Sequence, residues 1–142
     1  MNILIINGPN INFIGKREPE IYGHKTYNDL VNYILNYAKN HNHNIKIYQS
    51  NHEGEVIDII QDNYQGFEAL IINPGAYTHY SYAIYDCLKS INIRKIEVHM
   101  SDIYNREDFR KISVTKAACE TQIYGNSFES YIDAINYLQE RS

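Results

Sequence analysis

Short apolar runs alternate with amphipathic segments along this 142-residue chain, and that alternation restricts its fold more than any other feature. Residues 3–6 are a β-branched run that reads as a buried strand, and residues 45–48 read as a second. Between them, Leu30, Val31, Ile34, Leu35 and Ala38 recur at helical spacing over residues 27–40, and Thr26 with Asp29 makes a capping box. Val56, Ile57, Ile60 and Tyr64 mark the next helix. Residues 69–72 predict a third strand and 95–98 a fourth, separated by a helix carrying Ala83, Ile84, Cys87, Leu88 and Ile91. A short helix over 105–111 and a weaker strand near 117–124 follow. Phe128, Tyr131, Ile132, Ile135 and Leu138 then share one face of a last helix, with Asn126 and Glu129 placed to cap it.

Five strands alternating with five helices imply an α/β three-layer sandwich. Its core is a five-stranded parallel sheet with helices on both faces and right-handed crossovers. A flavodoxin-like strand order suits this length. The length also predicts one compact domain over residues 1–142. A formal net charge of -4 without a run of like charges speaks against a nucleic-acid surface. No stretch approaches the ~20 apolar residues of a membrane span. The opening MNILIINGPN lacks the basic leader of a signal peptide, so the expected location is cytoplasmic. Cys87 and Cys119, without a CxxC spacing, read as reduced core thiols.

Three polar clusters each follow an apolar run, where parallel sheets bind their ligands. The first, NGPNINFIGKREPEIYG from Asn7 to Gly23, is a long loop carrying Arg17 and Tyr22. A tyrosine is a weak base at neutral pH, with a reference pKa of ~10, but a guanidinium nearby stabilises the phenolate. An Arg–Tyr pair is therefore one way to build a strong base, although spacing alone favours two surface residues in a chain of 14 tyrosines. The second cluster offers Asn73, Thr78, His79, Ser81 and Asp86. Asn73 closes a strand at the ligand edge and His79 sits in a turn after Gly75. Asp86 alone reads as a solvated carboxylate, and Ser81 as a helix N-cap, since no G-x-S-x-G elbow surrounds it. In the third cluster Glu97 and His99 share a strand face, so the carboxylate could orient the imidazole as a general acid. Met100 and Ser101 begin a turn whose N–H groups could hold a carboxylate, and Arg106 and Arg110 lie one helical turn apart. No histidine or cysteine pattern suggests a metal.

Taken together, NGPNINFIGKREPEIYG, QSNHEGEVID from Gln49, NPGAYTH from Asn73 and EVHMS from Glu97 resemble type II 3-dehydroquinate dehydratase, closely to about residue 110. The resemblance implies a cofactor-free trans-elimination of water from 3-dehydroquinate through an enolate. By motif, Tyr22 would be the base and Arg17 would lower its pKa. Asn73, with Asn10, would hold the water that stabilises the enolate oxygen. His99, oriented by Glu97, would protonate the departing hydroxyl. The backbone at Met100 and Ser101 would meet the substrate carboxylate, while His79 and Arg110 bind ring hydroxyls. A dodecamer built from trimers is implied, with Asp86 reaching a neighbouring subunit. Tyr80, Tyr85 and the stretch KISVTKAACETQIYGNS after Arg110 depart from the family pattern. Two other readings remain: a non-catalytic or flavin-binding flavodoxin-like module, and a hydrolase using Ser81 and His79.

Overall fold

A computed structural model describes residues 1–16 and 19–142, with the backbone alone for residues 21 and 22. Five parallel strands, β1 (Asn2–Asn7), β2 (Asn44–Gln49), β3 (Ala69–Asn73), β4 (Arg94–His99) and β5 (Thr121–Tyr124), form one sheet in the order β2-β1-β3-β4-β5. This is the flavodoxin-like arrangement that the alternation predicted. The order reverses between β1 and β3, and there Asn7 and Asn73 stand side by side at the strand ends.

The helices are α1 (Pro19–Tyr22), α2 (Tyr27–Asn40), α3 (Glu53–Asn63), α4 (Tyr82–Lys89) and α5 (Glu129–Glu140). Side chains alternate across a strand, and the two resulting sets form two cores. Ile3, Ile5, Ile71, Ile96 and Val98 pack under Leu30 and Ile34 of α2 and Tyr131, Ile135 and Leu138 of α5. Leu4, Ile6, Leu70 and Ile72 face Val56 and Ile60 of α3 and Ile84, Cys87 and Leu88 of α4. Burying each such aliphatic side chain contributes about 1.5–3 kcal/mol. The predicted caps at two helices hold. Thr26 and Asp29 bond reciprocally at the start of α2, and Ser81 Oγ accepts from the Ile84 N–H at α4.

Three local expectations fail. The helix predicted over 105–111 is instead two 3-10 turns, Ile103–Asn105 and Asp108–Lys111, because Arg106 is extended and Glu107 is not helical between them. Phe109 is 54% exposed, so this segment lacks the apolar stripe by which packing sustains a short helix. The fifth strand begins only at Thr121, after a 3-10 turn at Lys116–Ala118, since alanines fit a pleated surface poorly. Lastly, α5 has Phe128 at its N-cap and no side-chain cap. Ser130 Oγ accepts from the Asn126 N–H instead, and the Glu129 carboxylate is taken by the Tyr33 hydroxyl.

Candidate active site

At the switch point the loops after β1 and β3 press backbone against backbone. Gly8 donates to the Asn73 carbonyl at 2.7 Å, and a Cβ on Gly8 would sit 2.7 Å from the Pro74 oxygen. Gly75 adopts φ +58°, and a Cβ there would lie 3.0 Å from the Pro9 oxygen. Two glycines thus allow the NGPN and NPG turns to close on each other. Asn10, itself at φ 68°, donates its N–H to Asn51 Oδ1, while Gln49 Nε2 binds the Gly8 carbonyl and Asn12 Oδ1.

Beneath these turns lies a network that no sequence pattern foretold. Tyr131 of α5 is fully buried, and its hydroxyl donates to Asn7 Oδ1 at 2.6 Å and accepts from Asn73 Nδ2 at 2.9 Å. Asn73 Oδ1 in turn accepts from the Gly75 N–H at 3.1 Å. The Asn73 side chain is therefore locked in one orientation, and its second amide proton is needed by neither contact. Tyr131 was visible only as one position of an apolar helix face.

A pocket of about 130 Å³ opens between the ends of β1, β3 and β4. That is close to a ~150 Å³ cavity able to hold one benzene-sized ring. Asn10 and Asn73 line one side, His79 a second, and His99, Met100, Ser101, Arg106 and Arg110 the remainder. Of the residues singled out from sequence, these meet at one site. Asp86 does not line it; it lies exposed on α4. Arg17 lies outside the described residues, as does the Tyr22 side chain, although the α1 backbone ends at Tyr22.

Glu97 is fully buried behind His99, whose Nε2 lies 2.9 Å from Glu97 Oε2. A buried carboxylate needs compensating donors, and this one gathers several. Thr78 and Ser113 donate to Oε2 at 2.9 Å each and Gln122 Nε2 at 2.6 Å, while Thr115 donates to Oε1. Burial alone would raise the Glu97 pKa. The hydrogen bond and charge of His99, with the bonds from Thr115 and Gln122, outweigh that and bring it from 4.5 to about 2. Glu97 is thus an anion that fixes the ring and its Nε2–H. Sequence reading found the pair but missed Ser113, Thr115 and Gln122; a buried glutamate with hydroxyls at two of three positions, S-V-T, was the available signal.

His79 Nδ1 lies 2.7 Å from the Ile112 carbonyl oxygen. Burial lowers the pKa of its imidazole, the Ile112 bond opposes that, and the Arg110 charge lowers it further. Arg110 is held by Glu107 at 3.2 Å and lies over the Phe109 ring, and Arg106 Nη1 reaches Ser101 Oγ at 3.3 Å. A Ser81–His79 hydrolase is not assembled. Ser81 is 1% exposed, capping α4 and donating to Glu53. Both cysteines are free, and burial raises both thiols, Cys119 to about 12. Among the described residues no group of three or more His, Cys, Asp or Glu could hold a metal ion, and no helix is long and apolar enough to cross a membrane.

Fold and pocket together define a small-molecule site at the switch point of a parallel α/β sheet, furnished with an oriented histidine and two arginines. The family model described as Dehydroquinase class II matches residues 1–139, and the chain belongs to that family. Its relatives are hydro-lyases. It is 51% identical over 140 residues to the 3-dehydroquinate dehydratase of Clostridium beijerinckii, covering 98% of this chain and 96% of that one. It is 47% identical over 142 residues to that of Thermotoga neapolitana, covering 100% and 97%. The crystal structure of type II dehydroquinase from Butyrivibrio crossotus superposes with a TM-score of 0.96 at 55% identity, covering 98% of this chain and 97% of the other.

Proposed function

We propose that this chain dehydrates 3-dehydroquinate to 3-dehydroshikimate by trans-elimination through an enolate, as one catalytic domain spanning residues 1–142. The observation that carries the reading is the buried Glu97–His99 pair opening onto a ring-sized pocket with two arginines. Elimination beside a ketone needs a base, an enolate stabiliser and an acid for the leaving group, all held in place before reaction.

Tyr22, as tyrosinate beside Arg17, takes the proton α to the ketone. The electron pair moves into the carbonyl, and the enolate oxygen is met by a water held by Asn73 and Asn10. The locked Asn73 amide supports this, since an oriented donor costs no reorganisation. His99 has Nε2 turned to Glu97, so its Nδ1 edge serves the leaving hydroxyl, which departs as water while the enolate collapses to the enone. Protons exchanged with solvent restore Tyr22 and His99. Backbone N–H groups at Met100 and Ser101 receive the substrate carboxylate, and His79 and Arg110 bind ring hydroxyls. The reaction requires no cofactor. Asp86 belongs to the site of an adjacent subunit in a dodecamer of trimers, and the reaction supplies aromatic amino-acid biosynthesis in the cytoplasm.

The test is the ultraviolet absorbance of purified protein with 3-dehydroquinate. A conjugated enone should appear with wild type and fall by ~10²–10⁴ in folded Tyr22→Phe, the range for a removed acid–base group. Wild-type protein that yields no enone would overturn the function. Near-normal turnover by Tyr22→Phe would remove tyrosine from the mechanism.

A further inference from the structure

Strand β5 and the turn after β4 carry a hydrogen-bond chain that runs from the surface to Glu97 and that the proposed reaction leaves without a role. Register sets Gln122 of β5 directly beside Glu97 of β4. Its Nε2 donates to Glu97 Oε2 at 2.6 Å, closer than His99 Nε2 at 2.9 Å to the same oxygen. Its Oε1 accepts from the Tyr104 hydroxyl. That hydroxyl lies 3.3 Å from Lys116 Nζ, and the ammonium sits 5.7 Å from the Tyr104 ring centroid. Tyr124 packs edge-on against the same ring, with centroids 4.8 Å apart.

Proton accounting fixes the sense of every link. An ammonium only donates, so the Tyr104 oxygen accepts from Lys116 and its single proton goes to Gln122 Oε1. An amide whose oxygen is taken must present its NH₂ at the other end. The ionised carboxylate only accepts, so the chain ends there. All donors point inward, from Lys116 through Tyr104 and Gln122 to Glu97. Were the Gln122 amide turned over, its oxygen would face Glu97 Oε2 and repel it.

We propose that Gln122, with its amide orientation set by Tyr104, is a positioning residue for His99. It clamps Glu97 Oε2 in the place where that oxygen receives the ring Nε2–H, and so aims the opposite edge of the ring at the leaving group. The role rests on the dehydratase reading of the site. Neither Gln122 nor Tyr104 lines the pocket, so neither need alter substrate affinity. Loss of the Gln122 donor, the shortest to Glu97 Oε2, leaves that oxygen to Thr78, Ser113 and His99 and lets the carboxylate and the ring shift, and small misplacements of a catalytic group are costly.

The experiment compares wild type, Gln122→Met, Tyr104→Phe and the double variant with 3-dehydroquinate across pH, with melting temperatures in parallel. Gln122→Met should lower kcat about tenfold with KM within about twofold. Tyr104→Phe should show a smaller loss of the same kind, and the double variant should be no worse than Gln122→Met alone. Unchanged kcat in a folded Gln122→Met, or penalties that add in full, would overturn the role. Wild type inactive on 3-dehydroquinate would sink the dehydratase reading instead. Nitrogen-15 signals of the His99 ring, recorded without substrate, then decide the clamp: a shift in Gln122→Met upholds it and identical spectra overturn it.

Discussion

Glu97 shows how one residue couples stability to chemistry. Its carboxyl is held at about 2 in the fold against an ordinary 4.5, so the native state prefers the anion. That contribution is fully present above about pH 4.5 and drains away as pH falls toward 2. A shift of this size corresponds to about 3 kcal/mol. Chemical denaturation of wild type and Glu97→Gln between pH 2 and 6 should therefore give a steep profile for the first and a flatter one for the second; parallel profiles would show that the carboxyl is not depressed. His99→Ala should lower kcat by ~10²–10⁴ and should also lower the melting temperature, because it strips the buried Glu97 carboxylate of its principal partner. Activity should also survive exhaustive chelation, and a loss restored by one metal would contradict a cofactor-free reaction.

Elements place these residues, and the tightest joint between elements is the paired turn after β1 and β3. Gly8→Ala should be strongly destabilising, by about 3 kcal/mol or more, because the added carbon meets backbone that cannot move aside. Tyr131→Phe should cost about 1–3 kcal/mol by leaving two buried asparagine side chains short of a partner. Thermal melts of the two variants check both values. The sequence made the elements legible where periodicity carried the information, as in β1 to β4, α2 and α4. The Glu97–His99 pair was legible because residues two apart on a strand share a face. Gln122, Thr115 and Tyr131 were not, because each meets its partner across strands or layers. Local pattern does not contain that pairing. The turns over 103–111 were misread for the opposite reason, since helical spacing was present without an apolar surface to use it.

At the scale of the molecule, Asp86 is the residue left over. It lies exposed on α4, away from the pocket of its own chain, while Tyr80 and Tyr82 nearby are 59% and 69% exposed. If a neighbouring subunit completes the site, Asp86→Ala should lower activity without altering the melt of a dissociated chain. Mixing it with a pocket-defective His99→Ala chain should then regain part of the activity. Sedimentation of wild type should report twelve chains, and a fully active monomer would end the assembly reading.

The Tyr131 network also bears on the order in which the protein is made. Asn7 and Asn73 leave the ribosome early, yet the hydroxyl that joins them belongs to the last helix. Vectorial synthesis can build the sheet strand by strand, but the hydroxyl that joins the two asparagines arrives 58 residues after Asn73. A nascent polypeptide stalled before α5 would carry almost every residue of the site and have no finished site to offer.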